Sequence, residues 1–176
     1  MRFDPREGHS EAGTELTRVI LASFRLHGAL LQAGDELIRD LGVSSARWQV
    51  LGAIDFGPLP VAQIARDLGL RRQGVQPTVD RLERHGLVEF RENPNHLRAK
   101  LVALTRKGRA VLDVINERQE AWVNALAEEL PVGALRRMAS LSGLILHRLE
   151  RQEGERKWRS RSSTPSRSRK VARKKR

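Results

Sequence analysis

The sequence predicts a mainly α-helical fold, α+β in part, with a single β-hairpin. Two observations carry that prediction. Apolar residues recur at spacings of three and four over most of the chain, the period of helices with one buried face. A different pattern interrupts them, where Leu87-Val88-Glu89-Phe90 and Lys100-Leu101-Val102-Ala103-Leu104 form β-prone runs joined by the turn-forming Asn93-Pro94-Asn95.

Taken in order, residues 11–40 carry Leu16, Ile20, Leu30, Leu31, Leu37 and Ile38 along one stripe, with Gly42 as a stop. Ser44 or Ser45 can cap the next helix, whose Trp48, Leu51 and Ile54 form a buried face before Gly57-Pro58 breaks it. Leu59, Val61, Ile64, Ala65 and Leu68 then mark a short helix closed by Gly69. In the following helix Val75, Val79 and Leu82 share a stripe; Gln73, Pro77, Asp80 and Arg84 lie opposite, and Gly74, Gln76 and Arg81 fall on the flanks. Gly86 ends it, and the hairpin follows. Thr105 caps a long helix with Val111, Leu112, Ile115, Trp122, Leu126 and Leu130, and Pro131 starts the last, with Leu135, Met138, Leu141, Ile145 and Leu149. One small core does not need three long apolar helices. The excess stripes on the first, fifth and last helices predict burial against a second copy, hence a homodimer.

Composition narrows the function. The chain has 176 residues, enough for one domain and a tail, and no cysteine, which excludes disulfides, thiolate zinc sites and thiol-based sensing. The N-terminus lacks an apolar signal-peptide core and no apolar run approaches membrane-spanning length, so a cytoplasmic, nucleoid-associated protein with no membrane partner is expected. The five histidines (His9, His27, His85, His96, His147) have no ligand-like spacing, and no HExxH, GxSxG, P-loop or GxGxxG sequence occurs. No enzyme activity, metal or cofactor is expected. The net charge of +12 is uneven: Gly154 to Arg176 holds eleven Lys or Arg and one Glu, a net of +10. Such a segment cannot bury enough surface to offset its ordering entropy, so a disordered tail is expected. It fits a sequence-independent clamp on phosphates, or a solubility tag.

Residues 61–105 combine a short helix, a tight turn, a basic helix and a hairpin tipped with cations. A second helix presented by a first fits the major groove of DNA, and a basic hairpin beside it can reach the minor groove. Gln73 and Gln76 can bond adenine bidentately, Arg72 can reach guanine or phosphate, and Gly74 allows close backbone approach. Arg81 and Arg84 suit phosphate or plain solvent.

The stretches ARDLGLRRQGVQPTVDRLERHGLVE and NPNHLRAKLVALTRKG resemble, in order and spacing, the winged helix-turn-helix of the MarR family of bacterial transcriptional regulators. The resemblance is strongest over residues 44–110. It implies long N- and C-terminal dimerisation helices (about 11–40 and 106–152), a DNA-binding lobe (about 44–108) with one β-hairpin wing, a flexible N-terminus (1–10) and, beyond the domain at 11–152, the basic tail (153–176). The implied partner is double-stranded DNA bearing a pseudo-palindromic operator, its half-sites about 10 base pairs apart. The recognition helix would use Arg71, Arg72, Gln73, Gly74, Gln76, Thr78 and Arg81, and the wing Asn95, His96, Arg98 and Lys100. Relatives often bind small aromatic or lipophilic acids; the corresponding pocket would lie near Phe24, His27, Leu31, Trp48 and Leu51, for each of which core packing is the competing reading. Two departures stand out. Pro77 replaces a usual polar or basic residue, so the helix either begins late, with Pro77 in its first turn, or is kinked there. His96-Leu97-Arg98 replaces a common Asp-Arg-Arg, leaving Arg98 as the minor-groove probe and His96 as a phosphate contact or an ordinary turn residue. The expected function is sequence-specific transcriptional regulation, modulated by a small effector; the alternative is an architectural, nucleoid-associated protein relying on its tail.

Overall fold

The computed structural model describes residues 8–95 and 98–162. Helix α1 (Glu11–Leu37) opens on Ser10, whose hydroxyl accepts from the Gly13 N–H at 3.1 Å, and ends in a 3₁₀ turn over Arg39–Leu41 closed by Gly42 at φ 65°. Helix α2 (Ser45–Ala53) starts where a serine cap was expected, but the cap comes from elsewhere. Ser44 sits at the capping position with its hydroxyl accepting from Arg47 Nε at 3.2 Å, while the Ser45 N–H donates to the Asp35 carboxylate of α1 at 2.6 Å. Ser45 Oγ donates to the Leu31 carbonyl at 2.9 Å, and Gly34 makes this approach possible, since a Cβ there would lie 2.6 Å from that hydroxyl.

The hydrogen bonds from Ser45 hold Asp35 below the ordinary carboxylate pKa. A depressed folded-state pKa means stability that is present above the unfolded value, about 3.9 for Asp, and lost as pH falls through the folded one. Asp35→Ala is therefore expected to lower stability by about 1 kcal/mol at neutral pH, as cap removal does. Urea midpoints of the variant and the parent should converge as the pH drops toward 3. An equal gap at both pH values would show that the carboxylate charge contributes nothing.

Past α2 the chain forms β1 (Leu59–Pro60), α3 (Val61–Asp67), α4 (Arg72–Arg84), β2 (Val88–Arg91) and β3 (Leu101–Leu104). The expected hairpin is part of a three-stranded antiparallel sheet, ordered β1-β3-β2. Val102 pairs with Phe90 on one side and Leu59 on the other. Leu59 thus belongs to a strand and not to the α3 stripe. The prolines explain this: Pro60 disfavours helical backbone at Leu59, and its missing N–H is tolerated on an edge strand.

Helix α5 (Arg106–Ala127) is capped by Thr105 as expected, with the Gly108 N–H donating to Thr105 Oγ1 at 2.9 Å and that hydroxyl donating to the Gly86 carbonyl at 2.7 Å. The described residues divide into two compact units, one ending at Val123 and the other beginning at Asn124. In the first, Ile38, Leu51, Ile64, Val79, Leu82, Val102, Leu112 and Ile115 are fully buried and join α2–α4, the sheet and the start of α5 into one core. Along α1, by contrast, Leu16, Val19, Ile20, Leu26 and Leu30 are exposed.

The second unit holds the end of α5 and helix α6 (Val132–Ser162), which exposes Leu135, Met138, Leu141, Leu144 and Leu149. Its length corrects one boundary, because the tail was expected to begin at residue 153. Residues 155–162 contain no Gly or Pro and several good helix formers, and extending an existing helix avoids the nucleation cost. Positions 1–7, His96, Leu97 and the remaining tail, 163–176, lie outside the described residues. Among the described residues no helix is long and apolar enough to cross a membrane.

Candidate nucleic-acid interface

The turn between α3 and α4 is set by Gly69 at φ 66°, where the Leu70 N–H donates to the Ala65 carbonyl at 2.7 Å and the Gly69 N–H to that of Arg66 at 3.0 Å. This αL closure reverses the chain within a few residues and presents α4 on top of α3. Arg71 precedes α4 at the capping position and supplies no side-chain cap, so the positive end of the helix is left open to an outside acceptor.

Val75, Val79 and Leu82 bury one face of α4, leaving Gln73, Pro77 and Arg84 exposed on the opposite ridge. The helix begins at Arg72, which overturns the late-start reading of Pro77: the proline lies inside the helix, in its second turn. Having no N–H, it leaves the Gln73 carbonyl without its usual intrahelical donor. Gln76 lies half-buried on the flank and donates through Nε2 to Asp80 Oδ1 at 2.8 Å, which fixes its amide with Oε1 and one N–H still unused. Sequence reading placed Asp80 on the outer face without this role; the Gln-to-Asp spacing of four residues was the available signal.

A cleft of about 380 Å³ separates α4 from the hairpin, lined by Arg72, Gln76, Phe90, Arg98, Ala99 and Lys100 with Pro60–Ala62 behind. It brings recognition-helix and wing cations together. At the hairpin tip the Asn95 N–H donates to Asn93 Oδ1 at 3.0 Å, forming the expected turn. Arg71, Arg72, Gln73, Gly74, Arg81, Asn95, Arg98 and Lys100 are exposed and Thr78 is half-buried. Among the described residues, Arg71, Arg72, Arg81, Arg98 and Lys100 have no carboxylate or hydrogen-bond partner for their side chains. Some cations elsewhere are neutralised, among them Arg91 by Glu89 at 2.7 Å, Arg118 by Asp40 at 2.6 Å, and Arg109 by Asp55.

The five residues expected near an effector are not presented together by a single chain. Leu51 is sealed in the core and Trp48 packs half-buried against it, whereas Phe24 is 69% exposed and His27 is exposed. Leu31 is half-buried and engaged through its carbonyl. For Leu51 and Trp48, core packing is what the structure displays. Among the described residues, no group of three or more His, Asp or Glu side chains is arranged to hold a metal ion.

A helix-turn-helix preceded by a short strand and followed at once by a hairpin that completes a three-stranded sheet beside the second helix is the architecture of winged-helix proteins. The chain belongs to the MarR family, whose model matches residues 41–99. An uncharacterized protein of Mycobacterium bovis is 40% identical over 121 residues, 69% of this chain and 85% of the relative. Among solved structures, CouR from Rhodococcus jostii RHA1 bound to p-coumaroyl-CoA is similar at 25% identity and TM-score 0.63, over 77% of this chain and 92% of that one. The transcriptional repressor CouR bound to a 23-mer DNA duplex is similar at 23% identity and TM-score 0.66, over 82% and 99% of the two chains. The fold and family are thus those of transcription regulators.

Proposed function

We propose that this protein is a sequence-specific DNA-binding transcription regulator that acts as a homodimer on a pseudo-palindromic operator. The observation that carries the reading is the set of unpartnered cations, Arg71, Arg72, Arg81, Arg98 and Lys100, around the exposed ridge of α4. An unpaired cation has no internal ion pair to break before it meets phosphate, and Gln73 offers both a donor and an acceptor to a base edge. The capture of a duplex by the similar CouR protein supports the same use of the lobe.

A second copy covers the apolar residues exposed along α1 and, in the other unit, along α6. The aromatic acyl thioester bound by CouR supports a small aromatic or lipophilic acid as effector, with Phe24, His27 and Leu31 as its candidate contacts. The basic C-terminal segment adds contacts to phosphates that carry no sequence information. Such a protein works in the cytoplasm, on the nucleoid, and catalyses no reaction.

The charge of that segment, ten of the twelve net positive charges, favours one rival: an architectural protein that binds any duplex. Competition separates them, since a regulator prefers its operator over random duplex by ~10³ or more. Gln73→Ala adds a residue-level readout. It should change the preferred base at one symmetric pair of operator positions, as selection from a randomised duplex pool would report. A uniform loss over all sequences would remove Gln73 from base reading.

A further inference from the structure

A second notch lies on the other side of α4 from the wing. At 3.6 residues per turn, Arg72 and Gln76 fall on one flank of the helix and Thr78 and Arg81 on the other, with the Gln73–Pro77–Arg84 ridge between them. The first flank meets the hairpin. The second meets the start of α2 in a cleft of about 210 Å³ lined by Ser44, Ala46, Arg47, Pro77, Thr78 and Arg81. Arg47 is half-buried, tethered by Nε to Ser44 Oγ at 3.2 Å, and has no ion pair within 4.0 Å among the described residues. Arg81 is exposed, with no side-chain partner among those residues.

We propose that the notch formed by Ser44, Arg47, Thr78 and Arg81 seats a DNA backbone phosphate, opposite the seat made by Arg72, Arg98 and Lys100. The inference rests on the DNA-binding reading above and deepens it. A helix lying in the major groove has a phosphate backbone on each side, so a reader held by both flanks is fixed in register and tilt. The wing supplies cations on one flank only. On the other, two guanidinium groups and two hydroxyls converge on a gap of the right scale, and the guanidinium fork matches phosphate oxygens. Asp35, which faces Arg47 from α1, offsets part of its charge and leaves Arg81 as the fuller cation.

The test uses full-length protein on a selected operator and on random duplex, with affinity measured against salt concentration. Arg47→Gln and Arg81→Gln each remove a charge while keeping a stem, and thermal unfolding checks that each remains folded. The expected result is a weaker affinity by a similar factor on both duplexes, with the log–log salt slope reduced by roughly 1 unit per chain for either variant. Ethylation of phosphates should interfere in two patches, one on each side of the groove, and the patch facing α2 should disappear in the variants. An unchanged slope and pattern in folded Arg47→Gln and Arg81→Gln, with binding by the parent intact, would overturn the notch and leave the reading standing. A loss confined to the operator would also overturn it, by making these residues base readers. Absence of salt-dependent duplex binding by the parent chain would overturn the reading and the notch with it.

Discussion

Removal of residues 154–176 is expected to reduce the salt dependence of duplex binding more than any other single change. The segment carries eleven Lys or Arg against one Glu, so if roughly four to six of these cations release counterions, the log–log slope falls by about 4 to 5 units per chain. Affinity for operator and for random duplex should fall by a similar factor, because these contacts go to phosphate and not to base edges. Folding should be unaffected, since among the described residues the buried core ends at Ile115, and so should dimerisation, since among the residues whose burial is described the exposed apolar series of α6 ends at Leu149. The helical end of α6 at Ser162 makes a second truncation informative. Deleting only 163–176 removes seven of the eleven cations, and comparing the two slopes separates the last turns of α6 from the residues beyond them. Equal slopes for all three proteins would give the segment a role in solubility or in binding another protein.

Gly108→Ala is expected to destabilise the fold by roughly 1–3 kcal/mol, the usual cost of overpacking. Propensity alone argues the reverse, because alanine is better than glycine in a helix by about 1 kcal/mol. Geometry decides the sign. A Cβ on Gly108 would collide with the Leu87 carbonyl oxygen, which sits just before β2 and accepts from the Thr105 N–H at 3.1 Å, so it cannot swing aside without losing that bond. Gly52→Ala is the control, for a Cβ there meets nothing within 4 Å. It should be neutral or stabilising by up to about 1 kcal/mol. Urea unfolding of the two variants checks both, and equal midpoints would mean that α5 can shift away from β2 at little cost.

The contrast between these glycines marks how far the sequence could be read. Helices with repeated apolar contacts were legible, because a buried face writes a period of 3.6 into the residues. So were the stops at Gly69 and Gly86, where backbone geometry selects the residue, and the Thr105 cap. A two-residue strand writes no period, which is why Leu59 looked like part of α3. The end of α6 was set too early because an apolar stripe reports where packing ends, while the helix itself persists on propensity. Pro77 left two readings open from sequence, a late start or a place within the helix, and α4 excludes the first. Within the candidate site, the positions of α4 and of the hairpin were legible from local spacing. The Asp35 cap on α2 and the juxtaposition of Arg47 with Arg81 were not, because each joins residues far apart in the chain that only packing brings together.

The ties along the first half of α5 have a mechanical consequence. Thr105 fastens the helix to the Gly86 carbonyl at the root of the hairpin, Arg109 fastens it to Asp55 through both its carboxylate and its carbonyl, and Arg118 to Asp40 and to the Leu37 carbonyl at 3.0 Å. These anchors span about 20 Å of helix at 1.5 Å per residue. Three ties along one stretch resist twisting and sliding of the helix more than any one of them would alone. The tie at Thr105 sits at the hairpin root, so a displacement of this part of α5 would act first on the base of the wing that carries Arg98.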